Sequence, residues 1–532
     1  MAFWSRSATL VDPTYLTLVV LTLVAAFLFA AQPVLPWTKD LSSRMEWAAL
    51  MASFLAAGAL AVLLWSFDLD DKWAYYRTSK YLLIDGVPNY NLGEWFNVNT
   101  SFIYPYLMAP GHFFGDFREW EVWSKLVGLA FHFATAALIL ALLGLEPIAI
   151  MTAAAFVLYV PTLLWSLGGL ETPIAIFAVV ALTLFYLQRG SSSLWFWLLS
   201  GAMMWLRPDA ILIGIGLFIA ELWLVPRPLV QNLFRGLAFS IPILLFLGIN
   251  YVYFMNPFPS PFYIKGWNKT FSGTYPWYID ISVGATHLLS GVLVSFLVTT
   301  IIAAGLWQLF RPANLTASFR RPLITDRPRH FCVLIGSIVF LAYHVRGGYQ
   351  HMSFTFRYFL PAISCLLVMS GHLLMRPSIG WRIPGWGRFD TTQFAVFAIL
   401  LQLAQSFFVG YHAKWNDLAL TVSHLRDRFN VVAYSEWMKH WIEAGEYLRT
   451  VAKPNDRILV RQGMAPAGLT NSYLRDEYYA PTKWSKFEDL RSCQDCQPLF
   501  DYILTFPNAD KIPGFEVWKS YSNIAILRRV SD

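Results

Sequence analysis

Apolar runs of about 16–22 residues recur along this chain, and a run of that length crosses a hydrocarbon core of roughly 30 Å only as a helix, because lipid offers its backbone no hydrogen-bond partners. Such runs are read near 15–31, 47–66, 124–144, 148–167, 173–187, 194–206, 210–226, 237–255, 286–310, 331–345, 358–375 and 391–411. Of the 532 residues only 14% are charged, while 56% are hydrophobic and 17% aromatic; a soluble domain carries roughly 25% charged residues. The expected fold is therefore a polytopic α-helical membrane protein with about 12 transmembrane helices. The run at 15–31 is long and its flank barely basic, which is not the pattern of a cleavable signal.

The formal charge of +7 does not point to nucleic acid, because the arginines gather in short loops between apolar runs, as membrane topology requires. Arg311, Arg320, Arg321, Arg327 and Arg329 share one loop; Arg376, Arg382 and Arg388 share another; Arg227 and Arg235 flank a third. Alternating the runs puts these loops on one side with Lys39, Arg44 and Arg189, and that side is read as cytoplasmic. Both termini and the long loop 67–123 then face outward, towards a bacterial periplasm. Residues 1–411 are expected to form the transmembrane domain. Residues 412–532 are polar, with β-like runs at Arg457–Arg461, Tyr502–Thr505 and Ile524–Arg528 and helical periodicity over 434–452. They read as a small periplasmic α/β domain.

Cys332 and Cys365 fall within apolar runs and read as core residues. Cys493 and Cys496 stand as a lone Cys-Gln-Asp-Cys pair. A zinc site usually takes four ligands, so a disulfide in an oxidising compartment is the expectation.

The segment most suggestive of chemistry follows the second apolar run, Asp68-Leu69-Asp70-Asp71-Lys72-Trp73-Ala74-Tyr75-Tyr76-Arg77. Carboxylates at the exit of a membrane helix are costly. A helix cap accounts for one of them, but hardly for three within four positions. Like charges at contact can raise one pKa, which suits a general base. The run from Trp73 to Ile84 reads as an amphipathic helix at the interface. Other polar groups fall in loops of the same side. Glu171 stands in Gly-Gly-Leu-Glu-Thr-Pro, with a first-turn acid as the bland alternative. Arg207-Pro208-Asp209 suits a local ion pair, and Lys265 is a snorkelling anchor or a phosphate ligand. Arg357 heads a helix, where the dipole disfavours a cation, so it is expected to answer an anion. His351 reads as an interfacial hydrogen-bonding residue, not a metal ligand. Acids and cations gathered at headgroup level suit transfer chemistry on a lipid phosphate.

At these residues the chain resembles the GT-C superfamily of polyprenyl-phosphate-sugar-dependent glycosyltransferases, and within it the mycobacterial terminal β-(1→2) arabinofuranosyltransferase group. That group's Asp-Asp, Arg, Gly, Asn, Gly-Glu and Thr-Ser pattern is similar to Asp70, Asp71, Arg77, Gly86, Asn91, Gly93, Glu94, Thr100 and Ser101. Its Gly-Leu-Glu-Thr-Pro resembles Gly169–Pro173, its Arg-Pro-acid resembles Arg207–Asp209, and its Pro-rich segment ending in Lys resembles Pro259–Lys265. Gly347-Gly348 with Arg357–Pro361 is similar to its last motif, although Tyr349 stands where the family has Asp and Ser260-Pro261 replaces Asn-Thr. The resemblance spans roughly 60–365.

It implies an inverting displacement with Asp70 or Asp71 as base, Asp70 being favoured. Arg77, Lys265 and Arg357 are implied at the donor phosphate, and Glu171, Arg207, Tyr349 and His351 around the sugar and acceptor. The donor would be a polyprenyl-phosphate sugar, with arabinofuranose the sugar the resemblance suggests. The acceptor would be a cell-envelope glycan or a secreted protein. No cofactor is expected, and metal dependence varies across the superfamily. A flippase for lipid-linked sugars and an inactive scaffold are the alternatives; a flippase would favour charges near mid-membrane and broken helices.

Overall fold

A computed structural model describes residues 41–90, 97–259, 261, 277–310, 327–346, 356–375, 391–415, 431–453, 456–460, 468–469, 473–476, 500–505, 507, 512, 514–521 and 524–530. The run at 15–31 and the pair Cys493 and Cys496 lie outside them. The helices are α1 (Leu41–Leu63), α2 (Lys72–Asp85), α3 (Tyr104–Met108), α4 (Phe117–Leu143), α5 (Pro147–Val157), α6 (Val160–Leu167), α7 (Thr172–Arg189) and α8 (Leu194–Leu206). There follow α9 (Ile211–Leu224), α10 (Leu229–Phe254), α11 (Trp277–Leu293), α12 (Phe296–Phe310), α13 (Arg327–Arg346), α14 (Leu360–Leu374), α15 (Thr391–Trp415) and α16 (Val431–Val451).

Among the described residues six helices are long and apolar enough to cross a membrane, or up to eight if each of two bent pairs is one span. The chain is a multi-pass, mostly helical membrane protein. Two runs that the hydropathy reads as single spans are broken. The run 148–167 is α5 and α6, bent by 48°, and the run 286–310 is α11 and α12, turned by 105°. Broken helices inside a membrane need partners for the freed backbone groups, and α15 supplies them at both breaks. Its Gln402 accepts from Ser295 Oγ at 3.0 Å and from the Leu297 amide at 2.9 Å, and Gln405 accepts from the Phe296 amide at 2.6 Å. One turn on, Ser406 donates to the Leu158 carbonyl at 2.7 Å.

Helix α2 departs from the expected interfacial helix. Lys72 to Ser79 and Tyr81 are buried, and only its end exposes Leu83 and Ile84. Its aromatic stripe packs inward: Trp73 and Tyr76 lie against Trp120 of α4 with ring centroids 6.4 and 5.1 Å apart.

The C-terminal part holds α16 and a five-stranded sheet of order β2-β1-β3-β5-β4, from β1 (Arg457–Val460), β2 (Tyr473–Asp476), β3 (Tyr502–Thr505), β4 (Phe515–Ser520) and β5 (Ala525–Arg529). β1 runs parallel to β2 and β3, and β5 runs antiparallel to β3 and β4. The apolar pattern shows β1, β3 and β5. It misses β2, which is polar, and β4, whose Glu516 and Val517 are exposed. This unit sits on the α2 end of the bundle. Gly468 packs so closely there that a Cβ would come within 2.7 Å of the Trp73 carbonyl.

Candidate active site

The Asp70–Asp71 pair lies in the short link between α1 and α2. The Asp70 and Asp71 carbonyls accept from the Trp73 and Ala74 amides, at 3.1 and 3.2 Å, and so begin α2. The carboxylate of Asp70 accepts from the Asp71 amide at 2.9 Å, and Asp71 caps no helix amide with its side chain. Capping therefore leaves the Asp71 carboxylate to other work.

Both flanks of the pair are pinned to α4. Lys72 Nζ, fully buried, contacts Asp68 and lies 3.0 Å from Glu121 Oε1. Lys125, one turn beyond Glu121, contacts the same oxygen at 2.8 Å and donates to the Trp65 carbonyl at 2.7 Å. Burial works against the Lys72 charge, but Asp68 and then Glu121 outweigh it and hold its pKa above the ordinary lysine value. The Gly-Gly turn before Glu171 closes over this cluster. Gly169 has φ +67°, which suits glycine, and a Cβ there would meet Ser124 Oγ at 2.9 Å and Lys72 Cδ at 3.1 Å.

On the other side of the pair, Arg357 Nη1 lies 3.7 Å from Asp71 Oδ2 and Nη2 donates to Glu171 Oε1 at 3.0 Å. Its Nε donates to Thr172 Oγ1 at 3.2 Å, and the guanidinium lies over the Trp165 ring at 5.1 Å. The residue before it, Phe356, has φ +67°. A non-glycine residue held there is strained, and such strain gathers at functional sites. Glu171 is fully buried at the entry to α7. Its oxygens accept from Tyr75 OH at 2.9 Å and Thr100 Oγ1 at 3.1 Å as well as from Arg357. Burial raises its pKa, but Arg357 and then Arg207 outweigh that, so its carboxyl is held below the usual range. The bland reading of Glu171 as a dipole acid therefore understates its contacts.

Arg207 extends the chain of charges. Its Nε is 3.9 Å from Glu171 Oε1, and it grips Asp209 through two bonds, of 3.0 Å from Nε and 2.6 Å from Nη2. The local ion pair expected of Arg-Pro-Asp is thus present. His344 of α13 reaches Asp209 Oδ2 at 3.1 Å. Burial raises the Asp209 pKa, but Arg207 and His344 prevail and push it far down.

Of the residues singled out from the sequence, Asp70, Asp71, Glu171, Arg207 and Arg357 come together. Arg77 is placed elsewhere along α2: its Nε donates to the Tyr90 carbonyl and its guanidinium lies 5.0 and 5.3 Å from the Tyr81 and Tyr90 rings. Lys265, Tyr349, His351, Asn91, Gly93 and Glu94 lie outside the described residues. The sequence reading missed Tyr75, Glu121, Lys125 and His344. Glu121 and Lys125 carried a signal, two opposite charges one helical turn apart at the head of an apolar run; His344 carried none. Among the described residues no group of three or more His, Cys, Asp or Glu could hold a metal ion.

No family model and no curated protein sequence matches the chain. Solved structures do. ArnT from Cupriavidus metallidurans bound to undecaprenyl phosphate aligns with TM-score 0.51 at 12% identity, covering 91% of this chain and 98% of that one. The Archaeoglobus fulgidus oligosaccharyltransferase in complex with Zn and sulfate aligns with TM-score 0.51 at 13% identity, over 86% of this chain and 68% of that one. Arabinofuranosyltransferase AftD from Mycobacteria aligns with TM-score 0.45 at 15% identity, over 91% of this chain and 40% of that one. At these identities the likeness is one of fold.

Proposed function

We propose that this chain, which shares its fold with the GT-C glycosyltransferases, moves a sugar from a polyprenyl-phosphate donor to a hydroxyl of an envelope glycan or secreted protein. The single observation that carries this reading is the run of Asp71, Arg357, Glu171 and Arg207 across the link before α2 and the heads of α7, α9 and α14. An acceptor hydroxyl brought to Asp70 or Asp71 gives up its proton there as its oxygen attacks the anomeric carbon. The lipid phosphate leaves with the bonding pair, and Arg357 answers its charge. Attack from the face opposite the leaving phosphate inverts the anomeric centre. Asp70 is the favoured base. In this reading Asp71, which faces Arg357, orients that guanidinium.

Glu171 and Arg207 shape the sugar pocket, with Tyr349 and His351 assigned beside it and Lys265 assigned as a second phosphate ligand. The setting of Arg77 suits holding the Tyr90 segment against α2. The bound lipid phosphate of the ArnT structure supports the donor class. The arabinofuranosyl identity of the sugar rests on the sequence motifs. In this reading the protein lies in a bacterial inner membrane, with the site and the C-terminal unit on the periplasmic side.

The test is transfer of label from a polyprenyl-phosphate sugar to an envelope acceptor by the purified protein. Asp70→Asn and Asp71→Asn are each expected to lower transfer by about 10²–10⁴-fold while thermal unfolding is unchanged. Full transfer by both variants overturns the base assignment. Label that crosses proteoliposomes without transfer points to a flippase.

A further inference from the structure

Glu171 stands at the start of α7. The far end of that helix, 18 residues on and about 27 Å away at 1.5 Å per residue, carries a second charge cluster that sugar transfer does not use. Glu221 of α9 accepts there from Tyr186 OH at 2.8 Å and from Ser191 Oγ. Arg235 Nη1 of α10 lies 3.4 Å from Glu221 Oε2, and Arg227 Nη2 lies 3.9 Å from the same oxygen. Arg227 also donates to Ser191 Oγ at 3.2 Å. One carboxylate is thus set against two guanidiniums. Arg329 at the head of α13 adds a third to this corner, donating to the Leu187 and Gln188 carbonyls at 3.1 and 3.2 Å.

The surplus shows in the hydrogen bonding. Arg235 is only 2% exposed, yet its Nη2 has no hydrogen-bond partner among the described residues, and neither has Arg227 Nε. Buried donors are ordinarily satisfied, and two guanidinium edges offered together match the oxygens of a phosphate. The surroundings specify what carries that phosphate. Trp223 at the end of α9 and Leu229, Leu233 and Phe234 along α10, within four positions of one or other arginine in the sequence, are exposed large apolar residues. A free anion has no use for such a face, whereas acyl chains cover it.

We propose that this corner, formed by Arg227 and Arg235 around Glu221, seats the phosphate of an anionic membrane lipid, whose chains lie along the exposed face of α9 and α10. The site is at the opposite end of α7 from the Glu171 centre and is separate from the donor site.

The experiment is native mass spectrometry of the full chain in detergent, titrated with phosphatidylglycerol or phosphatidylcholine, with thermal unfolding read on the same samples. Phosphatidylglycerol is expected to be retained in preference to phosphatidylcholine. Arg227→Gln and Arg235→Gln are each expected to weaken its binding about tenfold. Arg227→Gln leaves Glu221 and Arg235 as a balanced pair, so its result stands even if Arg235→Gln disturbs folding. Arg189, exposed at the same end of α7, is the control, and Arg189→Gln is expected to bind as the unchanged chain does. Undiminished binding by Arg227→Gln overturns the proposal. So does equal weakening by Arg189→Gln, which marks general attraction to a positive surface. Displacement of the lipid by inorganic phosphate at matched concentration also overturns it, in favour of a free-phosphate site.

Discussion

On one side of Asp70 and Asp71, Asp68, Lys72, Glu121 and Lys125 close on one another. On the other, Asp71, Arg357, Glu171, Arg207, Asp209 and His344 run on as an open chain. The closed group holds two acids and two lysines, so its charge balances within itself. The open group keeps donors in reserve: Arg207 Nη1 is buried with no hydrogen-bond partner among the described residues, and so is Tyr104 OH, whose ring packs 4.7 Å from that of Tyr75. A closed, balanced group spends its charge on itself and can fix a backbone. An open one can bind. The acidic pair sits between the two, held in place by the first and supplied with a cation by the second.

The closed group is where the largest effect on stability is expected. Glu121→Gln leaves the buried Lys72 and Lys125 sharing Asp68 alone; because Glu121 itself is 25% exposed, the loss is expected at the low end of the about 3–5 kcal/mol that breaking a buried ion pair costs. Adding Lys125→Met restores the balance, with Asp68 and Lys72 as a lone pair, and is expected to recover most of that loss. Denaturant unfolding of the two single variants and the double measures the coupling. If the losses simply add, the four groups do not act as one unit and the contrast with the open chain fails.

The open chain is better probed by pH. Glu171 has a folded pKa below its ordinary value because Arg357 and Arg207 outweigh its burial. For a depressed carboxyl, the stability is present above the unfolded pKa and is lost as pH falls through the folded one. The unchanged chain is therefore expected to exceed Glu171→Gln in stability at neutral pH, with the gap closing in the acid range, below about 4.5. Melting curves of both across that range check the sign. A gap that widens on acidification would mean that burial dominates Glu171 and that the two arginines do not answer its charge.

The same division decides what the sequence discloses. Apolar runs announce the helices because burial in lipid demands them, whatever the rest of the chain does. The breaks at 158–159 and 294–295 are not announced, since the groups that satisfy them, Gln402, Gln405 and Ser406, lie about a hundred residues or more away on α15. Asp70, Asp71, Glu171, Arg207 and Arg357 stood out because a charge beside an apolar run is costly and so conspicuous. Tyr75 was hidden by its type, as one aromatic residue in a chain that is 17% aromatic. His344 was hidden by distance, 135 positions from the Asp209 it contacts. The amphipathic pattern of α2 was visible, but the pattern does not say whether lipid or protein covers it; here Trp120 of α4 and Tyr104 of α3 do.

A third pair tests whether burial, and not geometry, is what makes the other charges count. Arg449 of α16 contacts both oxygens of Asp116 at 2.8 Å, a two-pronged pair, but its two side chains are 38% and 50% exposed. Solvent already serves both groups there, so the pair gains little from meeting. Arg449→Gln is accordingly expected to cost less than about 1 kcal/mol, and to cost still less at high salt, where exposed charges are screened. The choice of Arg449 matters, because Asp116 also accepts from the Phe117 amide as the cap of α4, and its replacement would mix two losses. Unfolding measured at low and high salt separates the cases. A loss as large as that of Glu121→Gln, and unmoved by salt, would show that well-formed geometry alone carries the energy and that the contrast drawn between closed and open charge groups rests on the wrong variable.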